Sequence, residues 1–294
     1  MRKKITEELK QDIIDFYRES PKSLDTVAEK FDLCLPTIIK ILKNEPKYTK
    51  ARIYNPNMVE DYFCSIDTEI KAYFLGLIIA DGNVFIKGKQ NRQASISITL
   101  DEEDKYILDK FKEELNINTS VASDGRGCYQ IAIRSNLMAS DLSKYGIVPN
   151  KSFITYLPTV GINDNLMPHL IRGIMDGDGN IFMKKTDKKF LHAISFCGSN
   201  KLMSDISDYL YNKLLLKTKP KVYNYLNRKL SEIKIQGKED ILKYGNWIYN
   251  NSSIFLLRKK KIYDQFIEYY SYNKILDIEN PEVISGIAKG SDTP

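Results

Sequence analysis

Two Asp-Gly pairs, Asp81-Gly82 and Asp178-Gly179, each close an apolar stretch, and the aspartates stand 97 residues apart. The stretches are Ala72-Tyr73-Phe74-Leu75-Gly76-Leu77-Ile78-Ile79-Ala80-Asp81-Gly82 and His169-Leu170-Ile171-Arg172-Gly173-Ile174-Met175-Asp176-Gly177-Asp178-Gly179. Gly76 and Ala80 in one, and Gly173 and Gly177 in the other, have small-x-x-x-small spacing. Residues four apart share a helix face, so each stretch predicts a helix with one strip free of bulky side chains. Two such strips let backbones approach closely. Glycine inside a helix costs roughly 1 kcal/mol relative to alanine, and a close helix contact explains its presence. Nested in this way, the helices bring their C-terminal ends together and set Asp81 beside Asp178. Two carboxylates there repel each other and face the negative ends of two helix dipoles. A divalent cation relieves both problems. With hard oxygen ligands, two histidines (His169 and His192) and no paired cysteines, magnesium is the expected ion. Bound there, it can activate water and stabilise charge on a phosphate.

A single Asp-Gly after an apolar run reads more simply as a turn or helix stop. The run Asp176-Gly177-Asp178-Gly179-Asn180 also begins like a calcium loop. Against that reading, Ile181 occupies the glycine position, Asp187 stands where a glutamate is needed, and the first copy has Ile79 for the leading aspartate. Two copies matched in glycine spacing and aspartate position favour the helix pair.

The elements that must carry these helices also repeat. After each Asp-Gly come strand-like segments, a charged amphipathic helix, further strand and a closing helix. Ser95-Ile96-Ser97-Ile98-Thr99-Leu100 and Gln130-Ile131-Ala132-Ile133-Arg134 alternate, as do Ile194 and Phe196 with Ser195 and Cys197, and Ile233 and Ile235 with Lys234 and Gln236. Period-two alternation predicts sheets buried on one face and polar on the other. Helices are expected from Asp101 to Leu115 and from Asn200 to Leu216. The result is an α+β protein with two half-domains, 67–160 and 161–272, followed by a loose tail at 273–294.

Ahead of them, residues 1–45 predict three short helices. Thr6 is the expected N-cap of the first, with Glu7 and Glu8 in its opening turn. Leu24, Val27, Ala28 and Phe31 line the second, and Pro36 opens the third. This is a helix-turn-helix pattern, with Asp32 taking the left-handed turn position where glycine is common. Thr37, Lys40 and Lys43 are the groups it would offer to a major groove. Residues 46–66, punctuated by Pro46, Asn55, Pro56 and Asn57, read as a linker.

The chain has 294 residues and a formal net charge of +6. Charge is concentrated between Lys217 and Lys261, where twelve Lys or Arg face three acids, and such a surface attracts polyanions. Four dispersed cysteines make neither a zinc ribbon nor a disulfide framework and suit a reducing compartment. No apolar run reaches the roughly 20 residues that span a bilayer, and the N-terminus resembles neither a signal nor a transit peptide. The expectation is a soluble intracellular protein.

The two apolar stretches resemble the paired motifs of the LAGLIDADG homing endonucleases, in the form with both copies on one chain. Phe74 to Gly82 matches the first motif and Ile171 to Gly179 the second; the likeness extends over about residues 67–270. Ile79 departs from the motif by replacing an aspartate, and Arg172 by replacing its alanine. The resemblance implies αββαββα units related by a pseudo-dyad, with sheets forming a saddle over the major groove of double-stranded DNA. It implies Mg²⁺ at Asp81 and Asp178, with Ala80 and Gly177 at the same metal site, and a monomer that cuts both strands. It also implies an active-site lysine after each unit's last strand: Lys151 in the first, and Lys259 or Lys260 in the second. Base or phosphate contacts are expected from Lys87, Arg92, Gln93, Ser95, Ser97, Gln130 and Arg134. In the second copy they are expected from Lys184, Lys185, Ser195, Lys221, Tyr223, Tyr225, Arg228, Lys234 and Gln236. Unequal halves imply a partly palindromic site. The competing reading keeps the fold and drops the cutting, as in a DNA-binding regulator or an RNA splicing maturase.

Overall fold

The computed structural model describes residues 5–19, 22–45, 47, 55–88, 93–185, 190–224 and 230–279, with side chains described for all of these except 185, 190 and 272–279. Arg92, Tyr225 and Arg228, and the side chain of Lys185, therefore lie outside the described residues.

Residues group into two compact units, Met1–Tyr62 with Ile86–Met138, and Phe63–Phe85 with Ala139–Pro294. The first begins with α1 (Glu7–Glu19), α2 (Leu24–Phe31) and α3 (Leu35–Ile41). The Thr6 hydroxyl accepts from the Leu9 N–H at 3.2 Å, and the Ser23 hydroxyl accepts from the Thr26 N–H at 3.1 Å, so α1 and α2 both start on side-chain caps. Ile13, Tyr17, Val27, Ile38 and Leu42 form their shared core. Asp32 adopts φ 52°, ψ 51°, the left-handed turn conformation. Lys43 falls outside α3, which stops at Ile41. It is exposed in the turn just beyond the helix.

The repeat follows. Its first copy is α4 (Glu69–Ala80), β1 (Gly82–Lys87), β2 (Gln93–Asp101), α5 (Lys105–Glu114), β3 (Ala122–Ser123), β4 (Cys128–Arg134) and α6 (Asn136–Lys144). The second copy is α7 (Met167–Asp178), β5 (Gly179–Lys185), β6 (Phe190–Gly198), α8 (Asn200–Leu214), β7 (Val222–Asn224), β8 (Ser231–Ile235) and α9 (Lys238–Tyr249). Strand order is β1-β2-β4-β3 in one sheet and β5-β6-β8-β7 in the other, the same path twice. Ile96 pairs with Ile133 and Ile98 with Ile131 on the buried face of the first sheet. Ile194 pairs with Ile235 and Phe196 with Ile233 on the buried face of the second.

A final helix, α10 (Leu257–Glu279), continues through residue 272, so at least residues 273–279 are helical rather than a loose tail. The compact units cut across the repeat, because α4 and the start of β1 belong with the second copy. Several of the clustered lysines are paired: Lys217 with Glu239 at 2.8 Å, Lys219 with Asp208 at 2.5 Å and Lys234 with Glu232 at 3.3 Å. The basic excess between Lys217 and Lys261 is thus partly neutralised where it sits. Among the described residues no helix is long and apolar enough to cross a membrane.

Candidate active site

The site is built at the C-terminal ends of α4 and α7, within one compact unit. Thr68 caps α4 by accepting from the Lys71 N–H at 3.3 Å, and Pro168 stands in the first turn of α7. The helices nest through their glycines. A Cβ at Gly76 would collide with the Leu170 carbonyl oxygen, and one at Gly173 with the Tyr73 carbonyl oxygen. These contacts are equivalent under the 97-residue offset, so each helix seats its glycine against the same backbone position of the other. At the far end Gly177 faces the Ala80 side chain, and a Cβ there would lie 2.9 Å from Asp81 Oδ2. The Ala80 Cβ lies closer still, so no side chain larger than hydrogen fits there.

Each half supplies one buried lysine. Lys151, 6% exposed, opens a short 3-10 turn after Asn150, which holds φ 61°. Its ammonium donates to the carbonyls of Ile79 at 2.7 Å and Ala80 at 3.2 Å. Lys259, 4% exposed, lies in the first turn of α10 and donates to the carbonyls of Met175 at 2.7 Å, Asp176 at 2.6 Å and Gly179 at 2.6 Å. Helix ends leave carbonyls unpaired and carry partial negative charge, so a cation is well placed on both. Lys260 points elsewhere, to Asp264 at 2.5 Å. Between the two neighbours the geometry selects Lys259.

Burial raises both carboxylates, and repulsion adds to it at Asp81. Burial of its inner side, then the charge of Asp178, push Asp81 up to about 6; burial also raises Asp178. Both residues remain open to solvent on their outer sides. The lysines oppose these shifts crosswise: Lys151 acts most strongly on Asp178, and Lys259 acts more strongly than Lys151 on Asp81. Burial in turn lowers the Lys151 ammonium, which the two aspartates partly restore. Two exposed, repelling carboxylates braced by lysines form an oxygen donor set that suits a hard divalent cation.

Behind the site lies a polar network centred on Arg172 and Asp176, whose counterparts in the first copy are Leu75 and Ile79. Arg172 is fully buried and donates to the carbonyls of Ile254 (2.8 Å) and Ile248 (2.5 Å), and to Glu69 (2.8 Å). Glu69 also accepts from the Ser253 N–H at 2.6 Å. Asp176, 1% exposed, accepts from the Tyr73 hydroxyl at 2.9 Å and the Leu256 N–H at 2.8 Å, both on Oδ2. Its Oδ1 is buried without a hydrogen-bond partner among the described residues.

Strand alternation puts Lys87, Gln93, Gln130, Arg134, Lys184 and Tyr223 at exposed positions, with Lys221 and Gln236 exposed just outside β7 and β8; Ser95, Ser97, Ser195 and Lys234 are half-buried. Gln130 is engaged with Thr99 at 2.9 Å, and Lys234 lies 5.7 Å from the Tyr223 ring centre. Lys40 is exposed, while Thr37 is half-buried with its hydroxyl 3.1 Å from Cys34 Sγ. The sequence reading overlooked Phe85 and Phe182, which are 58% and 44% exposed on the faces that carry Lys87 and Lys184. The signal was available: Asp-Gly-Asn-x-Phe-x-Lys occurs at 81–87 and again at 178–184. A separate acidic trio, Asp101, Glu103 and Asp104, lies at the junction between β2 and α5 and includes neither motif aspartate.

No family model matches the chain. The DNA-directed RNA polymerase subunit Rpo1C of Methanocaldococcus jannaschii is 29% identical over 157 residues, which is 51% of this chain but 16% of that relative. The LAGLIDADG meganuclease I-AabMI bound to uncleaved DNA superposes with a TM-score of 0.52 at 14% identity, covering 75% of this chain and 98% of that one. Meganuclease I-SmaMI bound to uncleavable DNA superposes with a TM-score of 0.50 at 12% identity, covering 74% and 92%. Two repeated units of matching strand order, joined through a pair of nested glycine-bearing helices, give this chain the fold of the LAGLIDADG homing endonucleases in their two-motif, single-chain form.

Proposed function

We propose that this chain is a sequence-specific DNA endonuclease that hydrolyses one phosphodiester in each strand of a partly palindromic site, acting as a monomer. The observation that carries this reading is the meeting of Asp81 and Asp178 at two helix ends, each end also seating a buried lysine. Such an arrangement opposes stability without a cation, and a regulator that only binds has no need of it. Asp81 and Asp178 would hold Mg²⁺, with the backbone of Ala80 and Gly177 at the same place. The ion would supply charge neutralisation at the phosphate and a water of lowered pKa.

The chain's own residues do the rest. Lys151 spends two of its three donors on carbonyls, leaving one for a water or a phosphate oxygen. Lys259 spends three and acts through its charge. Lys87, Gln93, Arg134, Lys184, Lys221, Tyr223, Lys234 and Gln236 offer hydrogen bonds to base edges and phosphates, and Phe85 and Phe182 offer apolar contact to thymine methyl groups. The three N-terminal helices add a second DNA contact through Thr37 and Lys40.

The test is selection of cleaved sites from a random duplex library with Mg²⁺. Wild-type protein should yield one family of sites, whereas Asp81→Asn and Asp178→Asn should bind those sites without producing double-strand ends. Unchanged cutting by both variants would remove the assignment. A shift in DNA mobility with no ends from wild-type protein would favour the regulator.

A further inference from the structure

Asp176 is buried, carries no catalytic duty in the reading above, and has Ile79 as its counterpart in the first copy. Its contacts form a closed circuit. Asp176 Oδ2 accepts from the Leu256 N–H at 2.8 Å. The Leu256 carbonyl accepts from the N–H groups of Lys259 at 3.1 Å and Lys260 at 3.0 Å, which makes Leu256 the residue on which α10 starts. The Lys259 ammonium then returns to the end of α7, including the carbonyl of Asp176 itself. From the other helix, the Tyr73 hydroxyl donates to the same carboxylate oxygen at 2.9 Å. A carboxylate with one oxygen doing all this and the other unpaired costs stability. Ile79 avoids that cost at the equivalent position.

We propose that Asp176 is the positioning residue for Lys259: it pins the N-terminus of α10 to α7, so that the Lys259 ammonium stays on the α7 carbonyls. The first half-site works without this device. Lys151 is instead brought in by the left-handed turn at Asn150 and seated on two carbonyls. The two active-site lysines are therefore held by different means, and the second can be loosened alone.

Lysine acetylation by acetic anhydride in the metal-free, DNA-free protein, followed by mass spectrometry, tests this directly. In Asp176→Ile, which copies the first half-site, Lys259 should label about ten-fold faster than in wild-type protein, the scale set by losing one buried hydrogen bond. Lys151 should label at its wild-type rate. Asp176→Asn keeps an oxygen that can accept from Leu256 and should protect Lys259 nearly as well as aspartate does. If Asp176→Ile does not melt cooperatively, Asp176→Ala is read in the same way. Wild-type protection of Lys259 in the apolar variant, or equal exposure of both lysines, overturns the proposal.

The consequence for cutting rests on the endonuclease reading. Asp176→Ile should slow one strand more than the other, in the same sense as Lys259→Met and opposite to Lys151→Met. Equal slowing of both strands contradicts it. Because labelling requires neither metal nor DNA, failure of the positioning role is distinguishable from failure of wild-type protein to cut.

Discussion

The ends of α4 and α7 present the same chemistry with unlike supports. The first end is apolar behind its aspartate, with Ile79 and Leu75 in the core. The second has Asp176 and Arg172 at the equivalent positions, each buried and each bonded to the chain between Ile248 and Leu256. Pseudo-symmetry is kept where the helices touch and where the aspartates face each other. It is dropped one layer back. A backbone contact as close as that at Gly76 and Gly173 leaves room for one solution, whereas a lysine can be held over a helix end by packing or by hydrogen bonds.

The largest effects should separate the lysines. Lys151→Met and Lys259→Met should each lower double-strand cleavage by about 10²–10³-fold, the usual range for losing one positioned charge or donor. Lys151→Met should show the greater kinetic loss, because that ammonium retains a free donor. Lys259→Met should show the greater loss of melting temperature, because three carbonyls lose their partner. Equal losses on both measures would break the distinction.

Next come the positions one layer back. Arg172→Ala should cost about 3–5 kcal/mol by denaturant titration, because Glu69 and two carbonyls lose a buried partner. Leu75→Ala at the equivalent place should cost about 2–5 kcal/mol through an empty cavity. Only the arginine variant should be partly rescued by removing its partner through Glu69→Leu. Absence of such rescue would show that Arg172 acts by volume rather than by pairing.

The acid pair and Asp176 predict a pH response of the metal-free protein. Burial raises Asp176 to about 6, and burial with Asp178 raises Asp81 to about 6. An unfolded aspartate titrates near about 3.9, so the native state takes up more protons between those values. The stabilisation is complete below the unfolded value and is lost as pH rises through about 6. Stability, and with it melting temperature, should therefore be higher at pH 5 than at pH 8, by about 1 kcal/mol from Asp176 and less from Asp81, which water screens. Magnesium should narrow the difference at pH 8. A melting temperature that instead falls on acidification across this interval would contradict the crowding described for both groups.

The smallest effects concern the exposed rings. Phe85→Ala and Phe182→Ala should leave stability within about 0.5 kcal/mol. Each should relax base preference at positions in one half of the selected site only, and loss of preference in both halves from one substitution would contradict independent reading by the two copies.

Much of this was legible in the residues. Small residues at fixed spacing, Gly76 with Ala80 and Gly173 with Gly177, announced the helix contact, because a close backbone approach explains glycine inside a helix. Alternation in 95–100 and 130–134 announced a half-buried sheet, and Asp32 announced the turn between α2 and α3. These are local rules, set by helix and strand periods and by left-handed backbone preference. The Lys259 and Lys260 ambiguity is different in kind. One residue of register on α10 decides which ammonium faces α7, and that register depends on where Leu256 is anchored.

The chain's own order of residues thus determined which helices would nest and that the unit would occur twice. Only the tertiary structure decided which lysine is seated on each helix end, that Arg172 and Asp176 are buried and bonded to residues some 80 positions later, and that α4 clusters with the second copy. The physical reason is range. Periodicity and turn preference act within a few residues, while the partner of a buried polar group is whatever distant backbone the fold delivers to it.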